Sequence, residues 1–151
     1  MKKYIEIILV VLITLLILSA ITNLHLIEVH AKSLDKYYGE PQKIRCTCYI
    51  EHGITASGQK TRPHTAAGPR EWLGCVGALY QVKEDGTMGD FIGYYEFTDT
   101  GAGIDTDGDG KGDTIINGES IDVWEPDIEM AQEWIDINGD YIYLKLIEGK
   151  G

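Results

Sequence analysis

The chain has 151 residues, with 13 Lys and Arg against 24 Asp and Glu, and a formal net charge of −11 at neutral pH. This length is enough for one domain with its own core, and not for two. The acidic balance argues against nucleic acid, which requires clustered Lys and Arg, and against anionic lipid, and it suits a carbohydrate substrate or bound cations.

The first 31 residues have the layout of an export signal. Lys2 and Lys3 precede an apolar run at 7–21, which matches the basic and hydrophobic regions of a signal peptide. The run is short for a membrane span, which needs about 20 apolar residues. Two interpretations stay open: a signal peptide cleaved after Ala31, or an uncleaved anchor helix. Both predict that the rest of the chain is extracytoplasmic, either secreted or tethered to the outer face of the cytoplasmic membrane through this segment alone.

A polar linker is expected at 32–42, followed by one folded domain at 43–148. Runs rich in β-branched and aromatic residues predict five strands in this domain. They lie at 43–50, 75–82, 90–98, 120–124 and 141–147. Short strands separated by turn residues favour a closed β-barrel over a layered α/β fold.

The connections between these strands contain turn and helix signals. Glycine, proline and small polar residues predict loops at 51–70 and 99–118. The pair Asp85-Gly86 predicts a hairpin turn. Pro126 and the acidic residues after it predict one short helix at 127–135, because a helix dipole favours negative charge in the first turn.

Three cysteines lie in the part of the chain that is predicted to be exported. Cys46 and Cys48 are two residues apart on one predicted strand, so they face the same side of it. Either one could bridge to Cys75 and leave one thiol unpaired, since disulfides persist in oxidising compartments. The alternative is that all three are buried apolar thiols.

Four segments, in this order, resemble the three-aspartate (3D) domain of bacterial cell-wall proteins. They are Cys48-Tyr49 followed by Gly-Ile-Thr-Ala-Ser-Gly at 53–58, Thr-Ala-Ala-Gly-Pro at 65–69 followed by Leu73-Gly74, Thr-Asp-Thr-Gly at 98–101, and Ile-Asn-Gly-Glu-Ser-Ile-Asp-Val at 116–123. The family includes membrane-bound lytic transglycosylases and stationary-phase muralytic enzymes. The resemblance implies a mainly β fold: a six-stranded double-psi β-barrel with one short helix, preceded by the N-terminal signal or anchor helix.

The sequence departs from the family pattern at three places. Gly68 occupies the position before the proline of the second motif, where the family usually has an aspartate. An Asp-rich insertion at 102–115 separates the third and fourth motifs, and Asn117 replaces a common lysine. Two of the three aspartates that give the family its name therefore remain, Asp99 and Asp122.

The resemblance implies a peptidoglycan lytic transglycosylase, which cleaves the bond between N-acetylmuramic acid and N-acetylglucosamine and forms an anhydromuramic end. One carboxyl group can serve as acid and then as base in this reaction, because the substrate's own C6 hydroxyl attacks. Asp122, between Ile121 and Val123 on a predicted strand, is the candidate acid and base. Asp99 would assist, by raising the pKa of Asp122 or by stabilising the transition state. The alternative is that both aspartates hold backbone amides in turns.

The resemblance also implies substrate-binding residues. Thr55 and Ser57 lie in the loop that the family places at the rim of its groove, where their hydroxyls would bind sugar groups. Trp124 is a candidate stacking platform for a sugar ring, with core packing as its alternative role.

The insertion resembles the first nine positions of an EF-hand calcium loop. Asp105, Asp107, Asp109 and Asp113 occupy positions 1, 3, 5 and 9, and Gly110 occupies position 6. Position 12 is Ile116 in place of the usual glutamate, and no flanking helices are predicted. We expect bound calcium here, because four close carboxylates repel one another without a cation. For catalysis itself, no cofactor is expected to be required. The alternative is an acidic loop without metal.

Two other functions compete with the enzyme. The first is a non-catalytic module of the same fold that binds cell-wall glycan or forms part of the envelope, which Gly68 favours. The second is a structural calcium-binding envelope protein.

Overall fold

The computed structural model describes residues 11–23, 37–101 and 113–148 of the chain. The chain divides into two compact units, Met1–Asp35 and Lys36–Gly151. In the first unit, residues 11–23 form helix α1, whose side chains are exposed. Among the described residues, no helix combines the length and the apolar character needed to cross a membrane.

The second unit is mainly β, which confirms the predicted class. Its elements are β1 (Gln42–Tyr49), β2 (Thr65–Ala67), β3 (Val76–Val82), β4 (Met88–Asp99), β5 (Ser120–Trp124), α2 (Ile128–Asn138) and β6 (Tyr141–Glu148), with a 3-10 turn at Arg70–Trp72. The five strands and the helix that the residue pattern predicted are all present, and their ends move by up to three residues.

Strand β2 corrects the prediction of an unbroken loop at 51–70. It has three residues, all buried, between His64 and Gly68. A strand this short is below the length at which alternation of polar and apolar residues can be recognised. Its pairing with β4 and β5 forms it, and both partners are distant in sequence.

The six strands form a closed sheet in the order β1-β5-β2-β4-β3-β6, and β6 pairs back onto β1. The β1–β5 and β2–β4 pairs are parallel, and the other four pairs are antiparallel. The β3–β4 hairpin turns at Gly86, which has φ 82° and donates its N–H to the carbonyl of Lys83 at 2.8 Å. This confirms the turn predicted from Asp85-Gly86.

Aromatic rings fill one part of the core at close range. The ring of Trp72 meets Tyr37 at 4.8 Å and Phe97 at 5.1 Å between centroids, both in edge-on geometry. A Cβ atom at Gly68 would lie 2.8 Å from the Phe97 ring and 2.9 Å from the Trp72 ring. The absence of a side chain at position 68 is therefore a packing requirement of this core.

Helix α2 has a capped start and a glycine end. The Asp127 side chain accepts a hydrogen bond from Met130 N at 2.9 Å, and Gly139 follows the last turn with φ 81°. The helix packs through Ala131 and Trp134, and the Trp134 indole donates to the Tyr95 hydroxyl at 3.0 Å. The helix begins one residue later and ends three residues later than its sequence predicted.

The three cysteines are free thiols. Cys46 lies in β1 and Cys75 just precedes β3, and β6 lies between these two strands in the sheet. Two strand spacings amount to about 10 Å, which exceeds the Cα separation of roughly 7 Å that a disulfide can bridge. The structure thus corresponds to the alternative in which the thiols are unbridged, and Cys46 and Cys75 are buried.

Candidate functional site

Four residues form one row across four neighbouring strands. Thr47 of β1 is opposite Asp122 of β5, Asp122 is opposite Ala67 of β2, and Ala67 is opposite Asp99 of β4. Opposed residues on adjacent strands point to the same face of a sheet. The two aspartates therefore share a face, with the methyl group of Ala67 between them. Two strand spacings place their Cα atoms about 10 Å apart.

This row lies in a cleft of about 590 Å³. Side chains of β1, the segment after β1, the end of β4 and the segment before β5 surround it. Those that are ionisable are Arg45, Glu51, His52, Asp99, Asp113 and Asp122. Carboxylates thus outnumber cations in a concavity of the size that binds small ligands.

Asp122 is partly buried in this row, and Thr47 Oγ1 donates a hydrogen bond to its Oδ1 atom. Burial raises the pKa of Asp122, and the bond from Thr47 opposes that rise. The charges of Glu51 and Asp113 raise the pKa further, whereas Arg45 lowers it. The carboxyl group is thereby shifted toward its protonated form, which a general acid requires.

The neighbours that tune Asp122 differ from the sequence-based expectation. Asp99 was expected to raise the pKa of Asp122, but the carboxylates that do so are Glu51 and Asp113. The reason is geometric, since Ala67 and a whole strand separate the two aspartates.

Asp99 holds backbone amides, as one alternative from the sequence foresaw. Its Oδ1 atom accepts hydrogen bonds from Ala56 N and Thr100 N, both at 2.9 Å. These bonds attach the 55–58 loop to the end of β4. Within the described parts of the chain, Oδ2 of Asp99 accepts no hydrogen bond. The Asp99 side chain also lines the cleft.

Thr55 and Ser57 lie in that loop, close to each other. Thr55 is 5% exposed, and its hydroxyl lies 3.1 Å from Ser57 Oγ and donates to the Gln59 carbonyl at 3.0 Å. Ser57 is exposed. Neither residue lines the cleft, so the structure does not bring them into contact with the row of Asp122 and Asp99.

Trp124 is placed in the core with 4% of its surface exposed. Its indole N–H donates to the Glu51 carbonyl at 3.0 Å, and its ring meets His52 edge-on at 5.3 Å between centroids. These contacts correspond to the packing alternative, and they hold in place the segment that carries Glu51.

The structure describes one of the four candidate calcium ligands, Asp113. Its Oδ1 atom accepts a hydrogen bond from Ile115 N at 2.7 Å, and its carboxylate lies against Gly101. Asp105, Asp107 and Asp109 lie outside the described residues. In the parts of the chain that are described, no group of three or more His, Cys, Asp or Glu side chains is arranged to hold a metal ion. Calcium binding stays a prediction.

Sequence reasoning gave no role to Thr47, Tyr49 and Glu51 of the cleft. Arg45, Thr47 and Tyr49 alternate along β1 and line the cleft, whereas Ile44 before them and Cys46 between Arg45 and Thr47 are buried. This alternation was a usable signal once the strand was recognised. Glu51 follows the strand, and only the fold brings it near Asp122.

Comparisons of this chain with protein-family models, with curated proteins and with solved structures found no match. The chemistry of the cleft is therefore inferred from its own side chains: a carboxyl group shifted toward protonation, a second carboxylate, and hydroxyl groups around them.

Proposed function

We propose that this domain is a peptidoglycan lytic transglycosylase that cleaves glycan strands in the cleft, with Asp122 as its acid and base. The observation that carries the proposal is the raised pKa of Asp122 on the floor of a cleft that also holds a second carboxylate. The motif resemblance supports the same activity and implies an extracytoplasmic location at the cell wall. Two parallel pairs, β1–β5 and β2–β4, support the further proposal that the closed sheet is a double-psi β-barrel.

In the proposed reaction, the protonated carboxyl of Asp122 gives its proton to the glycosidic oxygen as the bond from that oxygen to the anomeric carbon breaks. The C6 hydroxyl of the muramic acid unit then attacks the anomeric carbon. Its proton passes to the Asp122 carboxylate, which restores the acid and leaves an anhydromuramic end. The Asp99 carboxylate would stabilise the positive charge that develops on the sugar ring.

The first test is the variant Asp122→Asn. It removes the transferable proton but keeps the shape of the side chain, so we expect at least a hundredfold loss of turnover, since general acid–base catalysis contributes about 10² to 10⁴. The purified chain would be incubated with peptidoglycan, and the products analysed by mass spectrometry for anhydromuropeptides. Asp90→Asn is the control, because Asp90 is an exposed aspartate outside the cleft. Wild-type turnover by Asp122→Asn would exclude Asp122 as the acid.

A non-catalytic glycan-binding module is the second candidate. The observation that favours it is the engagement of Asp99 Oδ1 with two backbone amides, which gives that residue a structural role. This candidate predicts no anhydromuropeptides at any pH and a glycan affinity that Asp122→Asn leaves nearly unchanged. Measuring affinity and products on the same preparations separates the two candidates.

A further inference from the structure

Tyr49 has a buried hydroxyl group that makes no hydrogen bond to any described residue. Its Oη atom has no partner among the residues that the structure describes, although the side chain lines the cleft. An unpaired buried hydroxyl costs free energy, so such a group calls for an explanation. The proposed catalytic steps do not use this residue.

The position of Tyr49 on β1 brings its ring toward Asp122. Thr47, which donates to Asp122, is two residues earlier on the same strand, and Tyr49 is opposite Trp124 on β5. Asp122 is thus the diagonal neighbour of Tyr49, at a distance of about 7 to 8 Å between Cα atoms, and aromatic side chains reach that far.

The charges that act on the hydroxyl locate it further. Burial raises the pKa of Tyr49, and the negative charges of Asp99, Asp122 and Glu51 raise it in that order. The phenol is therefore a neutral donor at neutral pH, and it is close to both aspartates.

The hydrogen bonds already present decide which aspartate needs this donor. Among the residues that the structure describes, Asp99 has two amide donors, whereas Asp122 has one donor, Thr47, and is partly buried. A carboxylate in that environment gains most from an additional donor at the moment it becomes charged.

We propose that Tyr49 is a positioning residue whose hydroxyl donates a hydrogen bond to Asp122 once the Asp122 carboxyl has lost its proton. The proposal deepens the proposed function, on which its catalytic meaning rests. When Asp122 protonates the glycosidic oxygen, its own O–H bond breaks and a carboxylate forms. Tyr49 keeps its proton throughout. Its hydroxyl donates a hydrogen bond to this carboxylate, and that hydrogen bond breaks when the C6 hydroxyl returns a proton to Asp122. The unpaired hydroxyl thus corresponds to the state in which Asp122 carries its proton.

Other ionisable groups line the cleft with Asp122 and must stay unchanged in the test. They are Arg45 on β1, Glu51 and His52 after β1, Asp99 on β4 and Asp113 before β5. A variant of Tyr49 that keeps the aromatic ring leaves all of them in place.

The experiment is a carbon NMR titration of the Asp122 carboxyl in the free chain, comparing wild type with Tyr49→Phe. Loss of a donor to the carboxylate should raise the pKa of Asp122 by about one unit or more, because a hydrogen bond to a charged group has that strength. Thr47→Val, which removes the observed donor, should raise it as well. Tyr94→Phe, at a tyrosine that is 59% exposed, should leave it unchanged.

A second measurement uses the unmodified protein. The ring-carbon signal next to the Tyr49 hydroxyl should shift as Asp122 ionises, because the hydrogen bond forms at that point. An unchanged pKa of Asp122 in Tyr49→Phe, or a Tyr49 signal that ignores the ionisation of Asp122, overturns the proposal.

Neither measurement needs substrate, so the Tyr49 proposal and the proposed function fail separately. If the chain cleaves glycan, Tyr49→Phe should also move the alkaline limb of its pH–rate profile to higher pH. An enzyme whose limb stays in place retains the proposed function without this role for Tyr49.

Discussion

Asp122 shows how individual residues set the properties of the cleft. The fold places its carboxyl beside a hydroxyl donor and near two other carboxylates, and burial outweighs the stabilising bond from Thr47. Because the folded-state pKa is raised, the protonated form favours folding and the charged form opposes it. The contribution of Asp122 to stability is therefore greatest at low pH and is lost as the pH rises through the folded-state pKa. Asp122→Asn removes the charged form that opposes folding, so it should be at least as stable as wild type at neutral pH. Groups that serve a function often lower the stability of a fold in this way.

Glu51 is the residue that best tests this electrostatic account. Its negative charge raises the pKa of Asp122, so Glu51→Gln should lower that pKa. The acid then loses its proton at lower pH, and the alkaline limb of the pH–rate profile should move to lower pH. The measurement is that profile on purified glycan strands.

Two controls make the Glu51 prediction specific. Glu84→Gln changes an exposed glutamate in the β3–β4 hairpin and should leave the limb in place. Asp99→Asn should also leave it in place, since Asp99 is not among the charges that raise the pKa of Asp122. A limb that moves with Asp99→Asn and not with Glu51→Gln contradicts the structure and restores the sequence-based assignment.

At the scale of elements, the packing around the segment between β2 and the 3-10 turn limits which side chain position 68 can hold. The Phe97 and Trp72 rings occupy the space that a side chain at Gly68 would need. The family that the sequence resembles usually has an aspartate at this position, and here a carboxyl group would enter an aromatic core. Of the three aspartate positions of that family, this chain therefore keeps two, Asp99 and Asp122.

The variant Gly68→Ala measures this packing directly. The added methyl group forces the two rings to shift, and overpacking of this kind typically costs about 1 to 3 kcal/mol of unfolding free energy. Urea unfolding followed by tryptophan fluorescence gives the value. Gly53→Ala is the matched control, because a Cβ atom there meets nothing within 4 Å. Equal stability of the two variants would show that the core can accept a side chain at position 68.

At the scale of the whole molecule, the Asp-rich insertion is the feature from which we expect the largest effect on folding stability. If Asp105, Asp107, Asp109 and Asp113 bind calcium only in the folded chain, then calcium at a hundred times its dissociation constant stabilises the fold by about 2.7 kcal/mol. We expect the melting temperature to be several degrees higher in calcium than in chelator.

The comparison needs a variant that changes only the insertion. Asp107→Asn should remove most of the difference between calcium and chelator, while Asp90→Asn, on β4, should keep it. A wild-type chain that melts at one temperature under both conditions and gives no heat on calcium titration has no such site.

The local features of this protein follow from residues that are close together along the chain. Alternating apolar residues, Asp85-Gly86 and the start of α2 at Pro126-Asp127 depend on neighbours along the chain, so the strands, the hairpin and the helix were predictable. Asp99 and Asp122 were singled out by their motifs, and the structure brings both onto one face of the sheet.

The surroundings of those residues depend on contacts between distant parts of the chain. Strand β2 exists because it pairs with two strands that are distant in sequence, and that pairing inserts Ala67 between the aspartates and separates their charges. Glu51 becomes the neighbour of Asp122, and Trp124 becomes a buried support for the Glu51 segment. The fold also buries the Tyr49 hydroxyl away from solvent. These outcomes depend on long-range strand pairing and on burial, neither of which is encoded in the spacing of residues along the chain.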